Sequence, residues 1–179
     1  MAMKTTQLSC ACGAVRLEVH GTPIISTECH CSSCSEAGKR LGALDLPQPI
    51  LTPQGGTRYV LYRKDRVSIL AGADNLSAFR LGPSATTRRV LASCCNTPLF
   101  LEFKGGHWLS LYGNLWPSGE LPPLQLRTMT QDARDRSSVP DDVPSGALAT
   151  AGFYRKLLMA WIAMGFKVPQ IVVNGAIDA

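Results

Sequence analysis

The sequence predicts a mainly β fold of short antiparallel strands followed by one helix near the carboxyl end. Runs of alternating apolar and polar residues fill the first two thirds of the 179-residue chain, as in half-buried strands. Glycine and proline separate these runs at intervals typical of a β-meander or sandwich. A stripe of apolar residues at helical spacing appears only after residue 151. We therefore expect a β body with a C-terminal helix.

The strands are predicted in the first 116 residues, which we interpret as one domain. Val, Leu, Ile and aromatic residues are enriched in these runs, as β propensity requires. The predicted strands are Ala14–Val19, Arg58–Tyr62, Val67–Leu70, Leu76–Leu81, Arg88–Leu91 and Leu99–Phe103.

The composition changes after Trp116. Prolines and polar residues dominate 117–151, which predicts an extended connection. The segment 152–179 is predicted to hold a helix at Gly152–Phe166 and a tail. Its apolar stripe is Phe153, Leu157, Trp161 and Met164, widened by Tyr154, Leu158 and Ile162. Such a face must be covered, either by the sheet or in a homodimer, whereas the sparse flanking charge disfavours a membrane surface.

Composition excludes several function classes. The formal net charge of +5 comes from scattered basic residues, and no aromatic-interleaved basic motif accompanies them, so no nucleic-acid partner is expected. Met1–Ser9 has no apolar run, and the most apolar helical stretch is too short to span a membrane. A cytoplasmic protein is predicted. In that compartment seven cysteines favour metal binding over disulfides.

The middle group of cysteines, Cys29, Cys31 and Cys34, carries the most specific metal signal. These three thiols lie within six residues and can converge on one zinc ion from a single loop. Three ligands suit an open, catalytic site, whereas a fourth ligand such as His30 would close it as a structural one. Because His30 lies between ligands, we expect it to point away.

The other four cysteines, Cys10, Cys12, Cys94 and Cys95, would tie the first hairpin to the late strands in a structural zinc site. The adjacent pair is the weak point, since neighbouring residues rarely direct both side chains at one metal. The alternative is that either Cys94 or Cys95 is a buried thiol that packs as a small hydrophobe.

The cysteine pattern resembles that of the glutathione-dependent formaldehyde-activating and centromere-protein-V family, which has a zinc-bearing β-tent fold. The resemblance covers roughly Leu8 to Tyr112. It rests on Cys10-x-Cys12-Gly13-Ala14-Val15-Arg16, Cys29-x-Cys31-x-x-Cys34, Gly38, Leu70-Ala71-Gly72 with Leu76 and Phe79, and Cys95-Asn96-Thr97-Pro98-Leu99-Phe100.

The sequence departs from the family in three places. Ala92 stands where the family has a cysteine, so the resemblance implies Cys10, Cys12 and Cys95 as ligands with Cys94 as a substitute fourth, as in an uncharacterised branch with a Cys-Cys-x-Thr-Pro motif. Asn96 replaces a glycine, which is tolerable if the turn needs a positive φ. Ser35 replaces a basic residue that often follows the middle cluster.

The resemblance implies a carbon–sulfur lyase that acts on a thiol–aldehyde adduct such as S-hydroxymethylglutathione. Cys29, Cys31 and Cys34 would hold the catalytic zinc, and Lys39, Arg40 and Arg58 are candidates to bind a glutathione carboxylate. Two other hypotheses remain: a non-catalytic zinc module that binds a partner protein, and a thiol-based metal or redox sensor.

Overall fold

The structure, a computed structural model, describes residues 4–179 as two β-sheets and two α-helices in three layers. Met1–Met3, part of the segment predicted to lack a signal sequence, lie outside these residues. The helices are α1 (Ser32–Leu41) and α2 (Gly146–Ala163). The strands are β1 (Thr5–Ser9), β2 (Arg16–His20), β3 (Ile25–Cys29), β4 (Thr57–Arg63), β5 (Val67–Ala71), β6 (Leu76–Phe79), β7 (Thr87–Ala92), β8 (Thr97–Phe103), β9 (Trp108–Tyr112), β10 (Leu126–Thr128) and β11 (Gly175–Ala176). The predicted fold class, mainly β with a C-terminal helix, is confirmed.

The strands form a small and a large sheet. The small sheet has the order β1-β2-β5 and is antiparallel. The large sheet has the order β10-β3-β4-β9-β8-β7-β6-β11, and its inner strands pair antiparallel. Short parallel strands extend both edges, β10 on β3 and β11 on β6. This arrangement protects the edges of the central strands.

The large sheet is covered on both faces, and β4 shows why its sequence is almost continuously apolar. Val60 and Tyr62 face a core shared with the small sheet. Tyr59 and Leu61 face a second core that includes residues of α1 and α2. Successive side chains of a strand point to opposite faces, so a strand buried on both sides needs apolar residues at every position.

The helix α2 begins at Gly146, six residues before the predicted start, and ends at Ala163. Leu157 and Met164 are buried, and Phe153 and Trp161 are half-buried, so the predicted apolar stripe packs on the sheet. Tyr154, Leu158 and Ile162, which were predicted to widen this stripe, are exposed, so the sheet does not cover them. Their cover in a homodimer stays a prediction. No helix in residues 4–179 combines the length and apolarity needed to cross a membrane.

Two neighbouring leucines of α2 test this packing. Leu157 is 4% exposed and Leu158 is 49% exposed. We expect Leu157→Ala to lower the free energy of unfolding by about 2–5 kcal/mol, because it opens a cavity against the sheet. The matched variant Leu158→Ala should change it by about 0.5 kcal/mol or less. Urea unfolding of both variants measures this, and equal effects would contradict the orientation of α2.

Candidate metal centres

The described residues bring the cysteines together in two groups, and all seven are free thiols. We call them the four-cysteine cluster (Cys10, Cys12, Cys94 and Cys95) and the three-cysteine cluster (Cys29, Cys31 and Cys34). Within each cluster the sulfur atoms all lie within 4.8 Å of one another.

The four-cysteine cluster joins the turn between β1 and β2 to the turn between β7 and β8. Its sulfurs are 3.3 Å apart for Cys12 and Cys94, 3.5 Å for Cys10 and Cys12, and 3.9 Å for Cys10 and Cys94. The sulfurs of Cys94 and Cys95 are also 3.9 Å apart. Zinc–sulfur bonds of about 2.3 Å in a tetrahedron require sulfur–sulfur edges of about 3.8 Å. The cluster therefore has dimensions that suit one tetrahedral ion.

Cys94 supplies the fourth sulfur of the cluster, in place of the family cysteine whose position Ala92 occupies. Ala92 is fully buried at the end of β7. The adjacent pair was the weak point of the sequence prediction, yet both of its sulfurs belong to the group. Cys94 is exposed, so the alternative of a buried thiol does not hold for it. Cys95 is half-buried and packs against the core shared by the two sheets, so for Cys95 that alternative stays open. Asn96 lies between the pair and β8 with φ of 54°, so the predicted left-handed turn is confirmed.

Hydrogen bonds hold both turns in place. The N–H of Val15 donates to Cys10 Sγ at 3.2 Å, and Gly13, with φ of 78°, allows the tight turn between them. The N–H of Ala11 donates to Thr97 Oγ1 at 3.0 Å, and that hydroxyl is also 3.0 Å from Cys95 Sγ. Thr97 thus links the two halves of the cluster.

The thiols of this cluster differ in acidity. Burial raises the pKa of Cys10. Desolvation of the sulfur among its neighbours and hydrogen bonds with Cys12 and Cys10 raise the pKa of Cys94, although the residue as a whole is exposed. Burial also raises the pKa of Cys95, but hydrogen bonds from the Thr97 hydroxyl and from the backbone N–H groups of Cys12 and Thr97 outweigh it and lower that pKa to about 6. Cys95 is therefore a thiolate at neutral pH, and it offers a metal one ligand that needs no deprotonation.

Thr97→Val tests this support. The variant removes the hydroxyl that accepts from Ala11 and that lowers the pKa of Cys95. Because a metal binds the thiolate form, a higher Cys95 pKa should shift the pH of half-maximal metal release upward. We expect metal affinity to fall by about 10- to 100-fold, as for other groups that orient ligands. Titration of cobalt against a chelator across pH measures it, and an unchanged release profile would contradict this role.

The three-cysteine cluster is built where β3 runs into α1. Cys29 ends β3, Cys31 is the N-cap of α1, and Cys34 lies in its first turn. Cys31 Sγ accepts the N–H of Cys34 at 3.4 Å, so a thiol performs the capping that a serine or aspartate usually performs. Cys34 is buried, whereas Cys29 and Cys31 are half-buried.

The pKa values of the three-cysteine cluster correspond to a thiolate at Cys31 and protonated thiols at Cys29 and Cys34. Hydrogen bonds from Cys29 and then Cys34 lower the pKa of Cys31 to about 2. Hydrogen bonds with Cys29 and then Cys31, together with burial, raise the pKa of Cys34, and the hydrogen bond with Cys31 raises the pKa of Cys29. A divalent cation would take the place of the two remaining protons.

The described residues place no fourth Cys, His, Asp or Glu in this group. His30 Nε2 lies 2.8 Å from Glu28 Oε1, and both residues are buried, so the prediction that His30 points away is confirmed. Arg127 Nε also donates to Glu28 Oε1, at 3.2 Å. A Cβ on Gly56 would come within 2.8 Å of His30 Cε1, which explains the glycine beside this pair.

Two of the three cations predicted to bind a substrate carboxylate donate hydrogen bonds to backbone oxygens of other segments. Arg40 donates from Nε to the carbonyl of Ala179 at 2.8 Å and from Nη1 to that of Leu81 at 3.1 Å. Arg58 Nη2 donates to the carbonyl of Pro122 at 3.1 Å. Arg40 lies on α1 and Arg58 on β4, and the buried Nη1 of Arg58 has no hydrogen-bond partner among the described residues. Carboxylate binding stays a prediction for both arginines and for the exposed Lys39.

Sequence reasoning missed the buried polar residues beneath the three-cysteine cluster. Tyr59 Oη lies 3.8 Å from Cys34 Sγ, and the ring of Tyr112 lies 5.0 Å from that of Tyr59. Arg89, from β7, donates to Ser33 between the ligands. The only signal in the sequence was two adjacent arginines in an apolar strand, Arg88 and Arg89, one of which must face a core.

The comparisons with known proteins identify a family but no activity. The sequence model of a family described as "Family of unknown function (DUF6151)" matches residues 2–115. No curated protein matches the chain. Among solved structures, a crystal structure of a Rhodobacter sphaeroides protein from a structural genomics programme is 19% identical, with a TM-score of 0.45, and the match covers 65% of this chain and 98% of that chain. The resemblance to the formaldehyde-activating family stays a prediction.

Proposed function

The chain belongs to the DUF6151 family, whose function is unknown, and from its cysteines we propose that it is a zinc protein with one structural and one catalytic centre. The four-cysteine cluster would hold the structural ion and the three-cysteine cluster the catalytic one. The observation that carries the proposal is the different number of ligands, four sulfurs in one group and three in the other among the described residues. Structural zinc sites are closed by four protein ligands, and catalytic sites keep one position open.

The ligand types support zinc as the metal. Both clusters offer only thiol sulfur, which selects zinc, monovalent copper or iron–sulfur clusters over calcium, magnesium and manganese. The sulfur–sulfur distances of the four-cysteine cluster, 3.3–3.9 Å, support a single tetrahedral ion there.

We propose carbon–sulfur lyase chemistry on an adduct of a thiol and an aldehyde, with S-hydroxymethylglutathione as the first substrate to test. Zinc bound by Cys29, Cys31 and Cys34 would supply Lewis acidity at its open position. The reaction is redox-neutral: the carbon–sulfur bond breaks, its electron pair stays on sulfur, and the hydroxyl proton ends on that sulfur. No further co-reactant is needed. The buried Cys34 and the cap at Cys31 would hold the ligands rigidly during this exchange.

The rate of adduct exchange tests the enzyme hypothesis. Two-dimensional exchange NMR on glutathione and formaldehyde follows formation and cleavage of the adduct with the zinc-loaded protein. Enzymes typically accelerate reactions by about a millionfold or more, so an increase of at least about 100-fold over buffer is a modest requirement. Cys31→Ser is the matched control and should show only the buffer rate.

Other outcomes distinguish the alternatives. A zinc-loaded protein no faster than Cys31→Ser would overturn the lyase proposal and favour the interaction module. Release of zinc from the three-cysteine cluster by mild peroxide, reversed by a reductant, would favour the sensor hypothesis.

A further inference from the structure

Arg89 is a buried cation that the proposed function has not used. Its side chain is 1% exposed and is among the largest fully buried side chains of the described residues. Nη2 donates to both the carbonyl and the hydroxyl of Ser33, each at 3.0 Å. Nε and Nη1 are buried and have no hydrogen-bond partner in the part of the chain that the structure describes.

Arg89 also lacks the carboxylate that a buried guanidinium normally requires. The other buried lysine and arginine side chains of the described residues have one: Lys64 Nζ contacts Glu102 at 2.5 Å, and Arg127 contacts Glu28 at 3.2 Å. No Asp or Glu within residues 4–179 forms an ion pair with Arg89. An uncompensated buried charge costs several kcal/mol, so a second source of negative charge is required.

The groups around Arg89 leave only the cysteines as that source. Two phenols lie beside the cluster: Tyr59 Oη is 3.8 Å from Cys34 Sγ, and the ring of Tyr112 is 5.0 Å from that of Tyr59. A tyrosine ordinarily titrates near pH ~10, so neither phenol supplies a negative charge at physiological pH. Ser33, which Arg89 binds, lies between the ligands Cys31 and Cys34. Sulfur is therefore the one neighbouring atom type that can carry the counter-charge.

We propose that Arg89 is a positioning residue that neutralises the three-cysteine centre and fixes the loop that carries its ligands. Three thiolates around one divalent ion leave one net negative charge, and the guanidinium cancels it. The two bonds to Ser33 hold Cys31 and Cys34 at the distance that one ion requires. This inference rests on metal binding in the proposed function, but it does not depend on the lyase reaction.

The test compares cobalt binding in the full-length wild type, Arg89→Met, Arg89→Lys and the control Arg80→Gln. Cobalt bound by thiolates gives absorption bands that report its coordination, and a competing chelator gives the affinity. Arg80→Gln also removes one positive charge, but from an exposed side chain. In wild type we expect two cobalt ions, of which Cys31→Ser loses the one in the three-cysteine cluster.

We expect Arg89→Met to weaken cobalt binding at the three-cysteine cluster by at least about 10- to 100-fold, the usual effect of losing a group that supports metal ligands. Arg89→Lys keeps the positive charge but loses the guanidinium that donates to both Ser33 oxygens. It should bind cobalt with an affinity within about 10-fold of wild type. The four-cysteine ion and the Arg80→Gln variant should be unaffected. Equal affinity in wild type and Arg89→Met would overturn the inference, and so would a folded Arg89→Lys that binds as poorly as Arg89→Met.

Two further outcomes distinguish a folding defect of Arg89→Met from a failure of the proposed function. Should Arg89→Met fail to fold, Arg89→Lys decides alone: retained cobalt supports the counter-charge, and a folded protein without cobalt at this cluster contradicts it. A wild-type protein that binds one ion, unchanged in Cys31→Ser, would instead mean that the proposed function fails at its first step.

Discussion

Cys12→Ser is expected to leave a protein that does not fold stably, even though Cys12 is exposed. Its sulfur lies 3.3 Å from that of Cys94 and 3.5 Å from that of Cys10, so the variant removes one of four ligands from the cluster. Binding of a structural zinc is worth about 10 kcal/mol or more in small zinc domains. That is as large as the whole stability of a typical domain, about 5–15 kcal/mol.

Because Cys12 is exposed, a large loss of stability in Cys12→Ser would distinguish a metal ligand from an ordinary surface residue. Without a metal, substitution of an exposed residue that forms no special contact changes stability by about 0.5 kcal/mol or less. Ala11→Ser is the matched control, because it adds a hydroxyl to an exposed position in the same turn and removes no thiol. Circular dichroism with urea unfolding measures both variants. A Cys12→Ser protein as stable as Ala11→Ser would contradict a structural metal at this cluster.

Cys31→Ser is expected to abolish the catalytic centre and to leave the protein folded. Serine can still cap α1, so the helix should remain. Stability should fall by up to about 4 kcal/mol, since Arg89 then loses part of its negative environment. Adduct exchange should drop to the buffer rate. Unfolding as severe as that of Cys12→Ser would show that both centres are structural.

The strands that the sequence predicts best are those whose surroundings are simplest. In β4 and β8 nearly every residue is buried, and their apolar runs identify them. The three-cysteine cluster was also predictable, because close spacing along the chain brings its sulfurs together. The four-cysteine cluster joins residues 82 and 84 positions apart, so its prediction depended on the fold bringing two turns together. Even Asn96 followed from the chemistry of left-handed turns, which admit asparagine.

The helix α1 and the short strands were not predictable in this way. Most residues of Ser32–Leu41 are polar or small, and its cap is a cysteine, which gives no ordinary start signal. Strands β10 and β11 have three and two residues, too few for any periodicity. Their pairing depends on distant partners, β3 and β6, that local sequence does not specify.

The environment of Arg89 also required the tertiary structure. Arg88 and Arg89 are neighbours in β7, yet Arg88 pairs with Glu102 at 2.5 Å on one face and Arg89 enters the core beneath the cysteines on the other. The strand period predicts opposite faces for the two residues. It does not predict which face holds a cluster of thiols.

Metal content per chain tests the central claim most directly. Elemental analysis should be made on wild type and Cys31→Ser, both purified without added metal or chelator. We predict two zinc ions per chain in wild type and one in a folded Cys31→Ser protein. One ion in both proteins would contradict the account, because the three-cysteine cluster would then hold no metal.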